Sequence, residues 1–250
     1  MRLYSRAPKS RRSEAHGARK DHCLCARCCA PRLAGCARPD AAAGLRPPQR
    51  YYLALGDSLA YGIQPARFEA GLPPSGFDTG YVDVFARALR TLAPGLRVVN
   101  YGCPGETTVT FARGGCPWLA GGRPLHDGFR GAQLRAALAF LRAHPGEVSP
   151  ITINLGGGDA DAFSKACKGS FACARARARA LTLGRTAAGA RAYFADPFPL
   201  SNPQGNLARE KARICAYTFT CSRGDGHPTD AGYRAIAAAV LRASGYKHRW

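Results

Sequence analysis

Acidic residues and long apolar runs are both scarce in this chain. Its 250 residues include 16 Asp and Glu against 36 Lys and Arg, a formal charge of +20. No apolar run approaches the roughly 20 residues of a membrane-spanning helix, so no transmembrane segment is expected in this sequence. The first 44 residues also lack the apolar stretch of about 7 to 15 residues that a secretory signal carries, so no such signal can be read there. No internal repeat is visible, which argues against solenoids and propellers. The basic excess would suit nucleic acid, because Lys and Arg release counterions on meeting phosphates. Interleaved aromatics and any nucleic-acid motif are missing, however, as around Arg175, Arg177 and Arg179. The charge therefore reads as compositional bias on a solvated face, and no specific nucleic-acid partner is expected.

What the chain does have in quantity is cysteine, 11 in all. Cys23, Cys25, Cys28, Cys29 and Cys36 crowd the N-terminal segment, and the other six fall in local twos. Joining Cys103 to Cys116, Cys167 to Cys173 and Cys215 to Cys221 would close short loops with little strain, so three local disulfides are expected. Such bridges persist in oxidising compartments, and a secreted protein follows as the expectation. Cys25 and Cys28 form a CxxC that His22 or Cys36 would complete as a zinc site, but no second half-site follows. No metal and no organic cofactor are expected. Residues 1–50 hold 12 basic and 3 acidic residues. The Arg, Pro and Ala of segment 1–48 cannot form a packed core, and a mis-set start, a sequence error and a disordered arm all remain readings of it. A basic binder working through this segment would lose polyanion retention on truncation at Arg50.

The folded domain is expected over residues 49–246, since 46% hydrophobic content is enough for one core. Tyr51 to Leu55, Leu96 to Asn100 and Ile151 to Leu155 read as strands, with a weaker fourth over residues 191–194. Helical spacing marks Tyr81 to Leu92, Ala132 to Ala143 and Asp230 to Arg242. Apolar strands alternating with helices predict a parallel sheet covered on both faces. In such sheets the working groups collect at the carboxyl ends of the strands. GDS follows the first strand, GCPGET the second and GGGD the third, while His227 lies in a loop just before the last helix.

A serine hydroxyl needs a base to take its proton, and the base needs a third group to hold its tautomer. Ser58, His227 and Asp225 supply these roles, with Asp225 two residues before His227 in DGHP. Acyl transfer also needs donors for the developing oxyanion, for which the amides of Ser58 and Gly105 are candidates.

These blocks resemble the SGNH (GDSL-type) hydrolases, in particular the secreted actinobacterial-type lipases and esterases. The likeness runs in order through ALGDSLAYG, GYVDVFARAL, VVNYGCPGETT, FLRAHPGEVSPITINLGGGDA, CAYTFTC and DGHPTDAGYRAIA, over about residues 51–243. It implies an α/β fold, a three-layer α/β/α sandwich with a mostly parallel, flavodoxin-like sheet. It also implies hydrolysis of a small-molecule or lipid ester through an acyl-serine, by a monomer. Carried over by position, Ser58 is the nucleophile, His227 the base and Asp225 its orienting acid; Gly224 stands three before the histidine, where many relatives place that acid. The oxyanion hole would use Ser58, Gly105 and the asparagine of GxND. Here that motif reads Gly156, Gly157, Gly158, Asp159, so Gly158 stands at the position of the usual Asn. Losing such a donor costs about 3 to 4 kcal/mol in the transition state, which admits a slow enzyme or an inactive ligand- or glycan-binding relative. On this reading, Gly158→Asn would restore the missing donor. The stretch between Asp159 and Cys215 is short and Arg-rich beside the family pattern.

Overall fold

The computed structural model describes residues 47–168, 173 and 207–246. At its centre β1, Tyr51–Gly56, is buried along its whole length. It pairs in parallel with β2, Arg97–Asn100, on one side and β3, Val148–Asn154, on the other. The register sets Tyr51 against Arg97 and Leu53 against Ile151. A chain that steps from β1 one way to β2 and then the other way to β3, always by right-handed crossovers, must leave its helices on opposite faces.

Side-chain alternation along β1 shows the two faces. Tyr52 and Ala54 pack with Val82, Phe85 and Leu89 of α3, Tyr81–Arg90, and with Tyr233 and Ile236 of α10, Asp230–Ser244. Leu53 and Leu55 point the other way, against Phe111 of α4, Thr108–Arg113, and Ala137 and Phe140 of α6, Gln133–Ala143. Each fully buried side chain of this kind stabilises the fold by about 1.5 to 3 kcal/mol. The fold is therefore α/β, a parallel sheet between helical layers, and the order β2-β1-β3 is the opening of the flavodoxin-like order.

Several elements differ from the sequence pattern for local reasons. β3 starts at Val148 instead of Ile151, because Pro150 breaks the β-branched run yet sits at a register irregularity, where a proline is tolerated in a strand. The helix α7, Gly157–Ala166, begins inside GGGD, where glycines offer no periodicity to read. Short helices carry the loops: α1, Ser58–Tyr61; α2, Pro65–Glu69; and α5, Pro117–Ala120. Near the C-terminus come α8, Leu207–Tyr217, and α9, Thr220–Arg223. The strand expected over 191–194 and the N-terminal cysteines lie outside the described residues. Among the described residues no helix is long and apolar enough to cross a membrane.

The end of β1 is the tightest point. Gly56 has φ +135°, and a Cβ there would fall 1.9 Å from the Asn154 carbonyl oxygen. Only glycine meets both conditions. Gly56→Ala should lower the free energy of urea-induced unfolding by about 3 kcal/mol or more. An unchanged midpoint would contradict this close approach of the two strands.

Candidate active site

Ser58 is the first residue of α1, directly after the β1 turn. Asp57 caps the helix by accepting from the Leu59 N–H at 3.0 Å, and its other oxygen accepts from the Gly157 N–H at 3.3 Å. The Ser58 turn is thereby tied to the start of α7. Asn100, at the end of β2, makes a second tie: its side chain donates to the Ala60 carbonyl and accepts from the Gly102 N–H, at 2.8 and 2.9 Å. A Cβ on Gly102 would lie 2.5 Å from the Tyr61 nitrogen, so the second loop presses directly on α1.

His227 arrives from the opposite end of the chain. Its loop is pinned to the corner between α8 and α9 by a bridge of Thr218 to Pro228 and by the Phe219 N–H donating to the His227 carbonyl at 3.0 Å. The Cys215–Cys221 disulfide closes that corner. Asp225 Oδ1 accepts from both the backbone N–H and the ring Nδ1–H of His227, each at 2.7 Å. With Nδ1 donating, Nε2 is left as an acceptor, and the Ser58 hydroxyl lies 3.0 Å from it. The structure thus brings Ser58, His227 and Asp225 into one hydrogen-bonded chain across 169 residues of sequence.

Ser58, Gly105, Gly158 and His227 line one cleft of about 1000 Å³. Among the described residues the N–H groups of Ser58 and Gly105 donate to no protein acceptor, which leaves them for a ligand oxygen. Gly105 holds φ +84°, and the Cys103–Cys116 disulfide braces its loop against α5. At Gly158 the contact is more revealing. A Cβ there would fall 2.4 Å from the Glu106 carbonyl oxygen, so α7 approaches the Gly105 loop more closely than a side chain permits. The space expected for an asparagine is filled by backbone, and Gly158→Asn cannot restore a donor without moving that loop. Asp159, the last residue of the motif, turns the other way and accepts from the Thr108 N–H and hydroxyl at 2.9 and 2.8 Å, at the start of α4.

Two buried side chains that the sequence reading did not single out hold this edge together. Gln133 accepts from the Gly56 N–H at 2.7 Å and donates to the Gly56 carbonyl and to Glu106, both at 3.0 Å. Among the described residues the second oxygen of Glu106, buried near Thr110, makes no well-formed hydrogen bond. Burial pushes the carboxyl groups of Asp57 and Glu106 above their ordinary range; hydrogen bonds from their neighbours oppose the shift. The sulfurs of Cys103 and Cys116 lie beside Glu106 at metal-ligand spacing, but they are spent in a disulfide and offer no thiolate. Cys167 and Cys173 form the third bridge, just beyond α7.

No family model matches the sequence, and no curated protein matches it. Solved structures do. The chain is similar to Axe2, an acetylxylan esterase from Geobacillus stearothermophilus, with 18% identity and a TM-score of 0.42 over 79% of this chain and 95% of that one. It is also similar to LAE5, an alpha/beta hydrolase enzyme from the metagenome of Lake Arreo, Spain, with 17% identity and a TM-score of 0.41 over 78% and 95%.

The raised carboxyls carry a pH signature. A carboxyl that holds its proton more tightly when folded contributes stability that is present below the unfolded value, near pH 4, and lost as pH rises through the folded one. Glu106→Gln removes one such group. The melting temperature of the variant minus that of the parent should therefore rise between about pH 4 and pH 7, whereas a constant difference would show that Glu106 does not titrate with folding.

Proposed function

We propose that this chain is a serine esterase of the SGNH type, cleaving carboxylic esters through an acyl-serine. One observation carries the reading: the Ser58 hydroxyl 3.0 Å from His227 Nε2, with Nδ1 of the same ring 2.7 Å from Asp225, in the cleft. In that arrangement the Ser58 oxygen attacks the ester carbonyl while His227 takes its proton. Asp225 holds the ring in the productive tautomer and stabilises the imidazolium. The N–H groups of Ser58 and Gly105 bind the oxyanion, and His227 returns the proton to the departing alkoxide. Water then repeats the sequence on the acyl-serine. Ile63, Phe68, Pro104 and Trp118 give the cleft an apolar wall for the acyl or alcohol part.

With glycine at 158 the side-chain donor is missing, which points to a slow esterase working from backbone donors. The same residue favours the second reading, a ligand- or glycan-binding protein on this fold. The three disulfides support export to an oxidising compartment.

Hydrolysis of p-nitrophenyl acetate and butyrate separates the two. The parent should turn both over, and Ser58→Ala should fall by about a thousandfold or more, to background. Gly158→Asn should be slower than the parent, because its Cβ would meet the Glu106 carbonyl oxygen at 2.4 Å. Binding without turnover, unaffected by Ser58→Ala, would sink the esterase in favour of the binder.

A further inference from the structure

The charged residues lining the cleft are unequal in one respect. Glu69 is paired with Arg223 at 2.8 Å, Asp161 with Lys165 at 2.7 Å and Asp225 with His227 at 2.7 Å. Asp57 is buried beneath α1 and hydrogen-bonded. Arg123 stands apart: among the described residues it has no carboxylate partner and no hydrogen bond from its guanidinium, although it is exposed on the cleft wall.

Its position is nonetheless well defined. The guanidinium carbon lies 4.7 Å from the ring centres of both Phe68 and Trp118. Trp118 is held in turn by its indole N–H donating to the Pro124 carbonyl at 3.0 Å and by the Tyr61 ring 5.4 Å away. The Arg123 backbone N–H donates to the Trp118 carbonyl at 3.2 Å. Stacking uses the face of a guanidinium and leaves its edge, where the N–H donors are, free to grip a planar or tetrahedral oxyanion. A side chain already held against two rings loses little freedom on doing so.

We infer that Arg123 is an anion-recognition residue, and that the ester taken by this cleft carries a carboxylate or phosphate. The inference rests on the esterase reading for the word ester, and on Arg123 itself for the anion.

The test uses matched substrates. Mono-4-nitrophenyl glutarate against 4-nitrophenyl valerate puts a carboxylate on the acyl side. On the alcohol side, 4-acetoxybenzoate and 4-acetoxyphenyl phosphate are set against methyl 4-acetoxybenzoate. For at least one pair the parent should prefer the anionic member in kcat/KM, and Arg123→Gln should cut that preference about tenfold, mainly through KM, with Arg123→Lys between. If Arg123 only props Phe68 and Trp118, both members of every pair weaken alike and the ratio holds, which overturns the inference. Binding to the Ser58→Ala protein, followed by tryptophan fluorescence, gives a readout free of turnover. An Arg123-dependent preference there without hydrolysis in the parent would defeat the esterase reading and leave the anion site standing. Equal binding of anionic and neutral members would remove the anion site whatever the turnover.

Discussion

The carboxyl edge of the sheet depends on how the central strand ends. At Gly56 the ladder becomes incomplete: the Asp57 N–H still donates to the Asn154 carbonyl at 3.0 Å, but the buried Gly56 N–H finds no acceptor on a neighbouring strand. Gln133, brought from the start of α6, binds both peptide groups of Gly56 with one side chain: its carbonyl takes the Gly56 N–H, which has no backbone acceptor, and its amide adds a donor to the Gly56 carbonyl. That carbonyl also accepts from the Cys103 N–H at 2.9 Å, which draws in the second loop. Such bonds add only about 1 kcal/mol each in net stability, but an orphaned buried group costs about 1 to 3. The pressure to keep them made is what fixes the three loops relative to one another. Ser58 lies two residues from this clamp, and Gly105 directly precedes Glu106, to which Gln133 also donates.

The fold was legible where periodicity and burial coincide. β1 is apolar throughout because it is covered on both faces, and α3 and α10 show clean helical stripes because each has one buried side. Pattern failed where the backbone, not the side chain, decides. Gly158 in the first turn of α7 must be glycine because another backbone passes within a Cβ's reach, and no hydrophobic pattern records that. Short helices such as α1 and α5 are set by caps and tertiary contacts; four residues hold too little periodicity to announce themselves.

The candidate site divides in the same way. That Ser58, His227 and Asp225 come together could be anticipated because their local sequences are distinctive and sit at a strand end and in a loop before the last helix. Gln133 and Arg123 could not, since a glutamine opening an amphipathic helix and an arginine in a glycine-rich loop acquire their roles only from what they touch. Asp57 carried a partial signal: an acid between a strand and a serine is a natural helix cap. That it also reaches Gly157 of α7 depends on the parallel pairing of β1 with β3.

The disulfides follow from the distribution of stability over this architecture. Sheet and large helices are secured by the two larger apolar clusters, whereas the Gly105 loop rests on a small one, in which buried Cys103 and Cys116 pack with Tyr61, Ile63, Phe77 and Leu125, and the His227 loop lies nearer the surface. Cys103–Cys116 anchors the first against α5, and Cys215–Cys221 closes the corner to which the second is bonded. Links closing loops of these sizes stabilise by about 2 to 3 kcal/mol each in the chain-entropy account, comparable to burying one large apolar side chain. Placed at loops that must keep a serine and a histidine within hydrogen-bond reach, they limit the local opening that would separate the two. These two bridges therefore act on the geometry of the cleft as well as on the fold, and loss of the His227 brace would be felt first as misalignment of the hydrogen-bonded chain.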